Sequence, residues 1–356
     1  MILHIIPYEK FTQGFIRFVF TNFEEQEHFF VIYGKCKDVC INLDYKNVYY
    51  LDSFKDLRNN NTIKKLFIES DGIIINGLFG SQKCLRYFNK SILKKVYIVF
   101  WGGDFYCLRN NVGLKQTISN YLRKRFIKKS SGVINLIPDD YRELSKYVKI
   151  NKPHFVAPIC DDGYSKKLFD TLVDTQKGTN PIIIMLGNSA YKTNNHIQAL
   201  EMLRRYKDED ILIRCPLSYG DDNYAKEVIE CGKRIFAEKF QPITDFMKKE
   251  DYYRLIAEST VAIYNNDRQQ ALGNINAALI LGCKVYIRND TAMWNHLHDE
   301  DKYQIYDVTS IESMTFDGFV TDDDDLSANR RRYYTIHSIE KNVLAWNTVF
   351  SYIRKT

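Results

Sequence analysis

Residues 182–200 read IIIMLGNSAYKTNNHIQAL, and this stretch decides the fold class. Ile182–Leu186 is an uninterrupted apolar run, mostly β-branched, with the length of a strand covered on both faces. Gly187 ends the run, and Asn188 and Ser189 supply turn chemistry. From His196 to Tyr206 the apolar positions recur at helical spacing. Strand, tight turn and helix in succession are half of a βαβ unit. The rhythm continues downstream. Strands are expected at Ile211–Cys215, Lys239–Pro242, Val261–Tyr264 and Lys284–Arg288, and helices at Asn223–Ala237, Asp251–Glu258 and Asn274–Leu281. It also runs upstream, with strands at Leu3–Ile6, Phe29–Tyr33, Val48–Leu51, Gly72–Ile75, Val96–Phe100, Gly132–Leu136 and His154–Ala157, and helices at Ser81–Phe88 and Asp139–Tyr147. The expected class is α/β, with two doubly wound Rossmann-like domains in tandem and a cleft between them where strand ends bind ligands.

A chain of 356 residues has room for two domains of roughly 150–200 residues, each with its own core. The first is expected over 1–165 and the second over 178–332, joined through a polar stretch with 166–177 as linker. A last helix, about 333–356, is expected to pack back on the first domain. With 45% hydrophobic and 26% charged residues, disordered, collagenous and small disulfide-stapled classes are excluded. No apolar run reaches the ~18 residues of a spanning helix. The N-terminus, MILHIIP, lacks a basic segment before an apolar one, so no signal peptide is read. Eight scattered cysteines without a C-x-x-C spacing predict buried thiols in a reducing cytoplasm and no metal site.

Charge divides the chain. Residues 1–160 hold 25 Lys and Arg against 14 Asp and Glu; residues 161–356 hold 25 against 30. A basic half beside a mildly acidic one points to an anionic surface met by one half. The densest basic stretch, LKQTISNYLRKRFIKK at Leu114–Lys129, contains six Lys and Arg and no acid. Leu114, Ile118, Leu122 and Phe126 fall on one face of a helix. Three readings stand for it: a surface helix packed by that stripe, a helix facing anionic lipid headgroups, or a nucleic-acid contact. No helix-turn-helix, zinc-finger or RNP-like motif accompanies the charge, and no nucleic-acid partner is expected. Asp322–Asp325 formally contains a D-x-D but follows no apolar strand, so it reads as a solvated loop.

The chain has no P-loop, no G-x-G-x-x-G, no H-E-x-x-H and no G-x-S-x-G. Its chemistry sits at strand ends. Gly187-Asn188-Ser189 follows one strand, with room for backbone approach at the glycine and a helix start at Thr193–His196. A second motif, NNDRQQALGN at 265–274, lies between an apolar strand and a small-residue helix that stops at Gly282. Asn274 suits an N-cap and Gly282 a C-terminal stop. A helix start with Arg268 beside it makes a diphosphate cradle, because guanidinium and backbone N–H act together on phosphate oxygens. A third, WGGDFY at 101–106, puts Asp104 after a Gly-Gly turn, either as a base for an attacking hydroxyl or as a cap for the next segment. His4 and Asn76-Gly77-Leu78-Phe79 fall near strand ends of the first domain, as candidates for lining an acceptor pocket; His4 is either an acceptor contact or a core histidine.

WGGDFY at 101–106, LGNSAYKTNNHIQAL at 186–200, DRQQALGNINAALILG at 267–282 and RNDTAMWNHL at 288–297 resemble the Fuc4NAc transferases of glycosyltransferase family 56. The resemblance runs over roughly 70–350 in the same order. It departs at Cys107, where that family carries a carboxyl residue, and at Ser218-Tyr219-Gly220. It implies a GT-B-like fold and metal-independent transfer of a 4-amino-dideoxyhexose from a dTDP-sugar to a polyprenyl-diphosphate-linked glycan in bacterial surface polysaccharide assembly. The dTDP-sugar is a co-substrate, and no other cofactor is implied. The donor contacts carried over are Gly187, Asn188, Ser189, Arg268, Gln269, Gln270, Gly273 and Asn274. Asp104 becomes the base, with His4, Asn76, Gly77 and Trp101 around the acceptor. A cytoplasmic enzyme peripheral on the inner face of the plasma membrane fits the basic half. A nucleotide-sugar epimerase on the same architecture and a non-catalytic binding module are the alternatives.

Overall fold

The computed structural model describes residues 1–35, 40–79, 88–109, 113–161, 163–178, 180–321 and 325–356. The helix expected over 81–88 falls outside them except for Phe88, as does most of the aspartate run at 322–325. The chain forms two units, Met1–Tyr164 with Ser338–Thr356, and Ser165–His337.

The first unit holds seven parallel strands: β1 (Ile2–Pro7), β2 (His28–Tyr33), β3 (Val48–Leu51), β4 (Gly72–Asn76), β5 (Val96–Phe100), β6 (Gly132–Asn135) and β7 (His154–Val156). Their order is β3-β2-β1-β4-β5-β6-β7. Their uninterrupted apolar character has its reason in the packing, since both faces are buried. Leu3, Ile5, Ile73, Ile75, Ile98 and Val133 meet one cluster, and Ile2, Ile6, Ile74, Val99 and Ile134 the other. The second cluster is closed by the helix Thr12–Asn22 and by the C-terminal helix Ile339–Lys355, through Trp346, Val349, Phe350 and Ile353. That helix lies so close to β4 that a Cβ on Gly72 would sit 2.2 Å from Ile353 Cγ2. The single last helix read from the sequence is two. Ser327–Ile336 belongs to the second unit, and Ser338 caps a new helix that belongs to the first.

The second unit holds β8 (Ile182–Leu186), β9 (Ile211–Pro216), β10 (Phe240–Ile243), β11 (Val261–Tyr264), β12 (Lys284–Ile287) and β13 (Tyr306–Asp307), in the order β10-β9-β8-β11-β12-β13, all parallel. The stretch read as a linker is helical from Tyr164 to Leu172, and it buries Phe169 and Leu172 in this unit's core. A polar composition concealed a two-point apolar anchor. Among the described cysteines, Cys160, Cys215, Cys231 and Cys283 are buried free thiols.

In each sheet the first strand sits beside the fourth, and the chain leaves that pair in opposite directions. The C-terminal ends of β1 and β4, and of β8 and β11, therefore flank a switch-point crevice, the place where open α/β sheets bind ligands. Among the described residues no helix is long and apolar enough to cross a membrane.

Candidate functional site

The crevice of the second unit is built from the turns after β8 and β11. Gly187 adopts φ +71°, and a Cβ there would stand 2.3 Å from His196 Nε2, so the imidazole occupies the space that any other residue's side chain would need. His196 is buried, and that burial pushes its pKa down to about 4. Its own N–H donates to the Tyr224 hydroxyl at 3.1 Å. The helix start at Thr193–His196 is therefore closed at that donor by the protein itself.

The two turns are locked by side-chain amides. Gln270 Nε2 donates to Asn188 Oδ1 (3.3 Å) and Ser189 Oγ (3.4 Å), while Gln270 Oε1 accepts from Thr193 Oγ1 (2.7 Å). Asn194 Nδ2 donates to the Ser189 carbonyl (3.0 Å), and Asn194 Oδ1 accepts from Asn266 (3.1 Å). Asn195 and Asn265 each donate to the other's backbone carbonyl, at 3.0 and 3.2 Å. Each such bond contributes about 0.5–1.5 kcal/mol net, and together they fix the loops before any ligand arrives. The buried oxygens of Asn265 (Oδ1), Asn266 (Oδ1) and Gln269 (Oε1) have no hydrogen-bond partner among the described residues. Three unmet acceptors beside a crevice suit a ligand that offers hydroxyl or N–H groups.

The helix after β11 runs Leu272–Ile280 and begins two residues earlier than the sequence suggests. Ala271, at φ +59°, precedes it without a side-chain cap. Asn274 lies inside the first turn rather than at the cap; its N–H bonds the Ala271 carbonyl at 2.8 Å and its carbonyl accepts the Tyr264 hydroxyl at 3.2 Å. The uncapped donors are thus those of Leu272 and Gly273. A Cβ built on Gly273 meets nothing within 4 Å, so this end of the helix is open. Arg268 is half-buried beside it, one guanidinium nitrogen donating to the Gln269 carbonyl at 3.0 Å. Uncapped N–H groups, the positive end of a helix and a held guanidinium together favour a phosphate group. The stop at Gly282 is as expected, at φ +74°.

In the first unit the corresponding turns are clasped by charge. Asp104 is buried, and each carboxylate oxygen accepts one backbone N–H: Leu78 at 2.8 Å to Oδ2 and Trp101 at 3.0 Å to Oδ1. Burial pushes its pKa up to about 6 against the opposing pull of those bonds and of Arg123. Each oxygen of Asp104 is thus engaged by one of the turns after β4 and β5, which the carboxylate ties together. Arg123 completes the clasp, donating to the Leu78 carbonyl at 3.4 Å and to Asn120 Oδ1 at 3.2 Å. His4 is a buried residue of the core. It lies within β1 against Phe350, stacks on Phe30 and meets His28 Nδ1 at 3.0 Å. Asn76 and Gly77 do lie at the end of β4, and Trp101 just beyond β5.

The helix Leu114–Lys129 packs by only the C-terminal half of the stripe that its spacing suggests: Phe126 is buried and Leu122 half-buried. Leu114 is 77% and Ile118 52% exposed, and Tyr121 61%. The inward face is Asn120, Arg123, Phe126 and Ile127. The helix therefore presents apolar side chains and cations to the outside together. From the sequence Arg123 reads only as one of the charges of its helix, and Thr193, Asn194, Asn195, Asn265 and Asn266 only as parts of their motifs, without the contacts that lock the two turns together. The polar density of 188–198 and 265–270 was the available signal for the latter group.

Residues 21–318 match the family described as 4-alpha-L-fucosyltransferase, glycosyl transferase group 56. Among solved structures, a glycosyltransferase from Rickettsia africae ESF-5 is similar at 15% identity and a TM-score of 0.65, over 100% of this chain and 98% of that one. An α,α-trehalose-phosphate synthase (UDP-forming) from Burkholderia vietnamiensis is similar at 9% identity and 0.67, over 100% of both chains. A trehalose-6-phosphate structure from E. coli bound with UDP-2-fluoro glucose is similar at 10% and 0.67, over 100% and 99%. Likeness at such identities is likeness of fold: GT-B-like, with two Rossmann-like sheets.

Proposed function

The chain belongs to glycosyl transferase group 56, and from that membership we propose that it moves a 4-amino-4,6-dideoxyhexose of the Fuc4NAc kind from dTDP to a polyprenyl-diphosphate-linked glycan in bacterial surface polysaccharide assembly. Nucleotide-sugar-dependent glycosyl transfer is common ground with the family; the donor base, the sugar and the acceptor are the reading proposed. One observation carries it: the β8–β11 crevice ends in an open, uncapped helix start with Arg268 beside it and three unmet buried acceptors alongside. The Leu272 and Gly273 N–H groups with Arg268 take the diphosphate, whose negative charge grows as the glycosidic bond breaks. Gly187 lets the turn pass the His196 imidazole, and Asn188, Ser189 and Gln270 hold that turn beside the nucleotide. Gln269 and the amide oxygens of Asn265 and Asn266 accept hydroxyl or N–H groups of the donor; Asn274 shapes the first helical turn. In the first unit Asn76, Gly77 and Trp101 take the acceptor, with Asp104 holding their turns in place.

The deciding test is a thermal-shift comparison of nucleoside diphosphates. At about 100-fold excess over Kd, a ligand of the folded state adds roughly 2.7 kcal/mol, or about 5–10 °C for a unit of this size. dTDP is expected to give that shift and to exceed UDP and GDP. No shift with any nucleoside diphosphate sinks the reading.

The acceptor's lipid gives the helix Leu114–Lys129 its role. Lys115, Arg125, Lys128 and Lys129 project outward with Leu114, Ile118 and Tyr121, the composition of a helix lying on an anionic interface. Each cation near such a surface contributes on the order of 1 kcal/mol. The chain is expected to float with phosphatidylglycerol-containing vesicles at low salt and to be released at ~1 M salt, where the Debye length falls to about 3 Å. Replacing those four cations by Gln should lower vesicle partition by about 10²-fold or more. Equal flotation of the charge variant would remove the helix from the membrane contact.

A further inference from the structure

The first unit's switch-point crevice carries an aromatic cluster that the donor chemistry does not use. Phe11 follows β1, Phe79 follows β4 and Trp101 follows β5. Trp101 meets both phenylalanines edge to face, Phe11 at 6.2 Å and 86° and Phe79 at 5.7 Å and 71° between ring centroids. Core aromatics in this unit are sealed, yet Phe11 is 46% and Phe79 48% exposed. Two half-exposed rings that meet one indole form a joined apolar patch, which a ligand can cover.

The cluster is held rigidly. Gly77, at φ +75°, lets the turn pass beneath the rings; a Cβ there would stand 2.6 Å from the Phe79 ring. The next residue, Leu78, is gripped at both ends, its N–H by Asp104 and its carbonyl by Arg123. Trp101 is held through its own N–H by the other oxygen of Asp104. A positioned wall of this kind loses little freedom when a ligand docks.

Polar atoms specify what docks. Trp101 Nε1 is buried without a hydrogen-bond partner among the described residues, and so are both side-chain atoms of Asn76. Asn76 is the register partner of Val99. Val99 and, just past the end of β5, Trp101 pack against the same core cluster, so the amide and the indole lie on the same side of the sheet. A hydrocarbon chain would leave these groups unmet. A pyranose meets both demands, with C–H bonds on one face for the rings and hydroxyls at its edge for the indole N–H and the amide.

We infer that Phe11, Phe79 and Trp101 form a stacking wall for a hexopyranose ring of the acceptor glycan, with the Trp101 indole and Asn76 as its polar contacts. The inference rests on the glycosyltransferase reading and names the chemistry of its acceptor subsite: the wall takes sugar and leaves the polyprenyl chain to the lipid.

Saturation-transfer NMR on the full chain tests it, with methyl β-glucopyranoside and methyl N-acetyl-β-glucosaminide as saccharide probes and n-octanol as the hydrocarbon probe. Transfer is expected on the axial C–H protons of at least one saccharide. It should fall about fivefold to tenfold in Phe79→Ala and in Phe11→Ala and be retained in Phe79→Tyr. Transfer to octanol without transfer to either saccharide overturns the inference, as does saccharide transfer unchanged in Phe79→Ala and Phe11→Ala. The thermal shift with dTDP, measured on the same samples, keeps the two readings apart. If it persists while saccharide transfer is absent, the wall is wrong and the transferase reading stands. If the wild-type chain shows no nucleotide shift, the transferase reading itself has failed.

Discussion

Replacing Arg268 by alanine is expected to lower kcat/KM by about 10²–10³-fold, the loss that follows removal of one preorganised donor from a developing charge. Bond cleavage to the sugar leaves negative charge on the diphosphate. A helix start alone meets it with the partial charge of the Leu272 and Gly273 N–H groups. Arg268 adds a full charge in a planar fork that matches phosphate oxygens. Its guanidinium is half-buried and already tethered to the Gln269 carbonyl at 3.0 Å, so little ordering remains to be done at the moment of reaction. The loss should fall mainly on kcat, because the charge is larger in the transition state than in the bound donor. Arg268→Lys, which keeps charge and loses the fork, should recover only part of it. Calorimetry with dTDP separates the contributions: a moderate loss of affinity beside a large loss of turnover is expected. Unchanged affinity together with unchanged turnover in Arg268→Ala would remove this residue from the cradle and leave the helix start unsupported as a diphosphate site.

The sequence discloses its strands more readily than its contacts. Runs such as Ile182–Leu186 and Val96–Phe100 are legible because a strand buried on both faces tolerates almost no polar residue. The two-residue β13 has no such run. The helix Thr12–Asn22 is obscured by Gly14 and β-branched residues, poor helix formers whose positions are set by packing. At the donor crevice the motifs themselves were legible, since glycine turns and polar strand ends are local signals. What they do to one another was not. Asp104 is bound to Leu78 across 26 positions and Gln270 to Asn188 across 82, and no local pattern encodes those separations. The stripe on Leu114–Lys129 misled for the same reason. Apolar spacing identifies a face, but the buried face runs through Asn120, Arg123, Phe126 and Ile127, with Arg123 bonded to the Leu78 carbonyl, and it leaves Leu114 and Ile118 outside. The sequence leaves His4 open between an acceptor contact and a core histidine, because its partner, His28, lies on the neighbouring strand in the register position of Ile2.

Asp104 and the His4–His28 pair make opposite demands on pH, and the second large effect follows from that opposition. Asp104→Ala strands two buried backbone N–H groups, Leu78 and Trp101, at about 1–3 kcal/mol each. The first unit should lose roughly 2–5 kcal/mol, or about 5–15 °C in Tm. Asp104→Asn keeps one acceptor and should lose less, while revealing the titration. The folded unit holds the Asp104 proton up to about pH 6, whereas an unfolded carboxyl releases it near ~3.9. Stability from this group is therefore full at low pH and lost as pH rises through about 6, at up to ~1.4 kcal/mol per pH unit. Asp140, pushed well up by burial and by the nearby charge of Asp104, adds the same sign. The histidines act the other way. Burial holds His28 down to about 3 and His4 well below its usual range, while the unfolded chain takes up both protons near ~6.5. Their stability is present above about pH 6.5 and lost as pH falls, at up to roughly 2.7 kcal/mol per pH unit for the pair. The two slopes oppose each other between pH 4 and 6, so the wild-type unit should show a shallow curve there. Calorimetric unfolding across pH 4–8 resolves them: Asp104→Asn should steepen the acid loss, and the paired His4→Leu, His28→Leu variant should flatten or reverse it. If Asp104→Asn instead keeps the wild-type Tm and pH curve while turnover collapses, Asp104 is the base after all, and its two backbone bonds are incidental to its work.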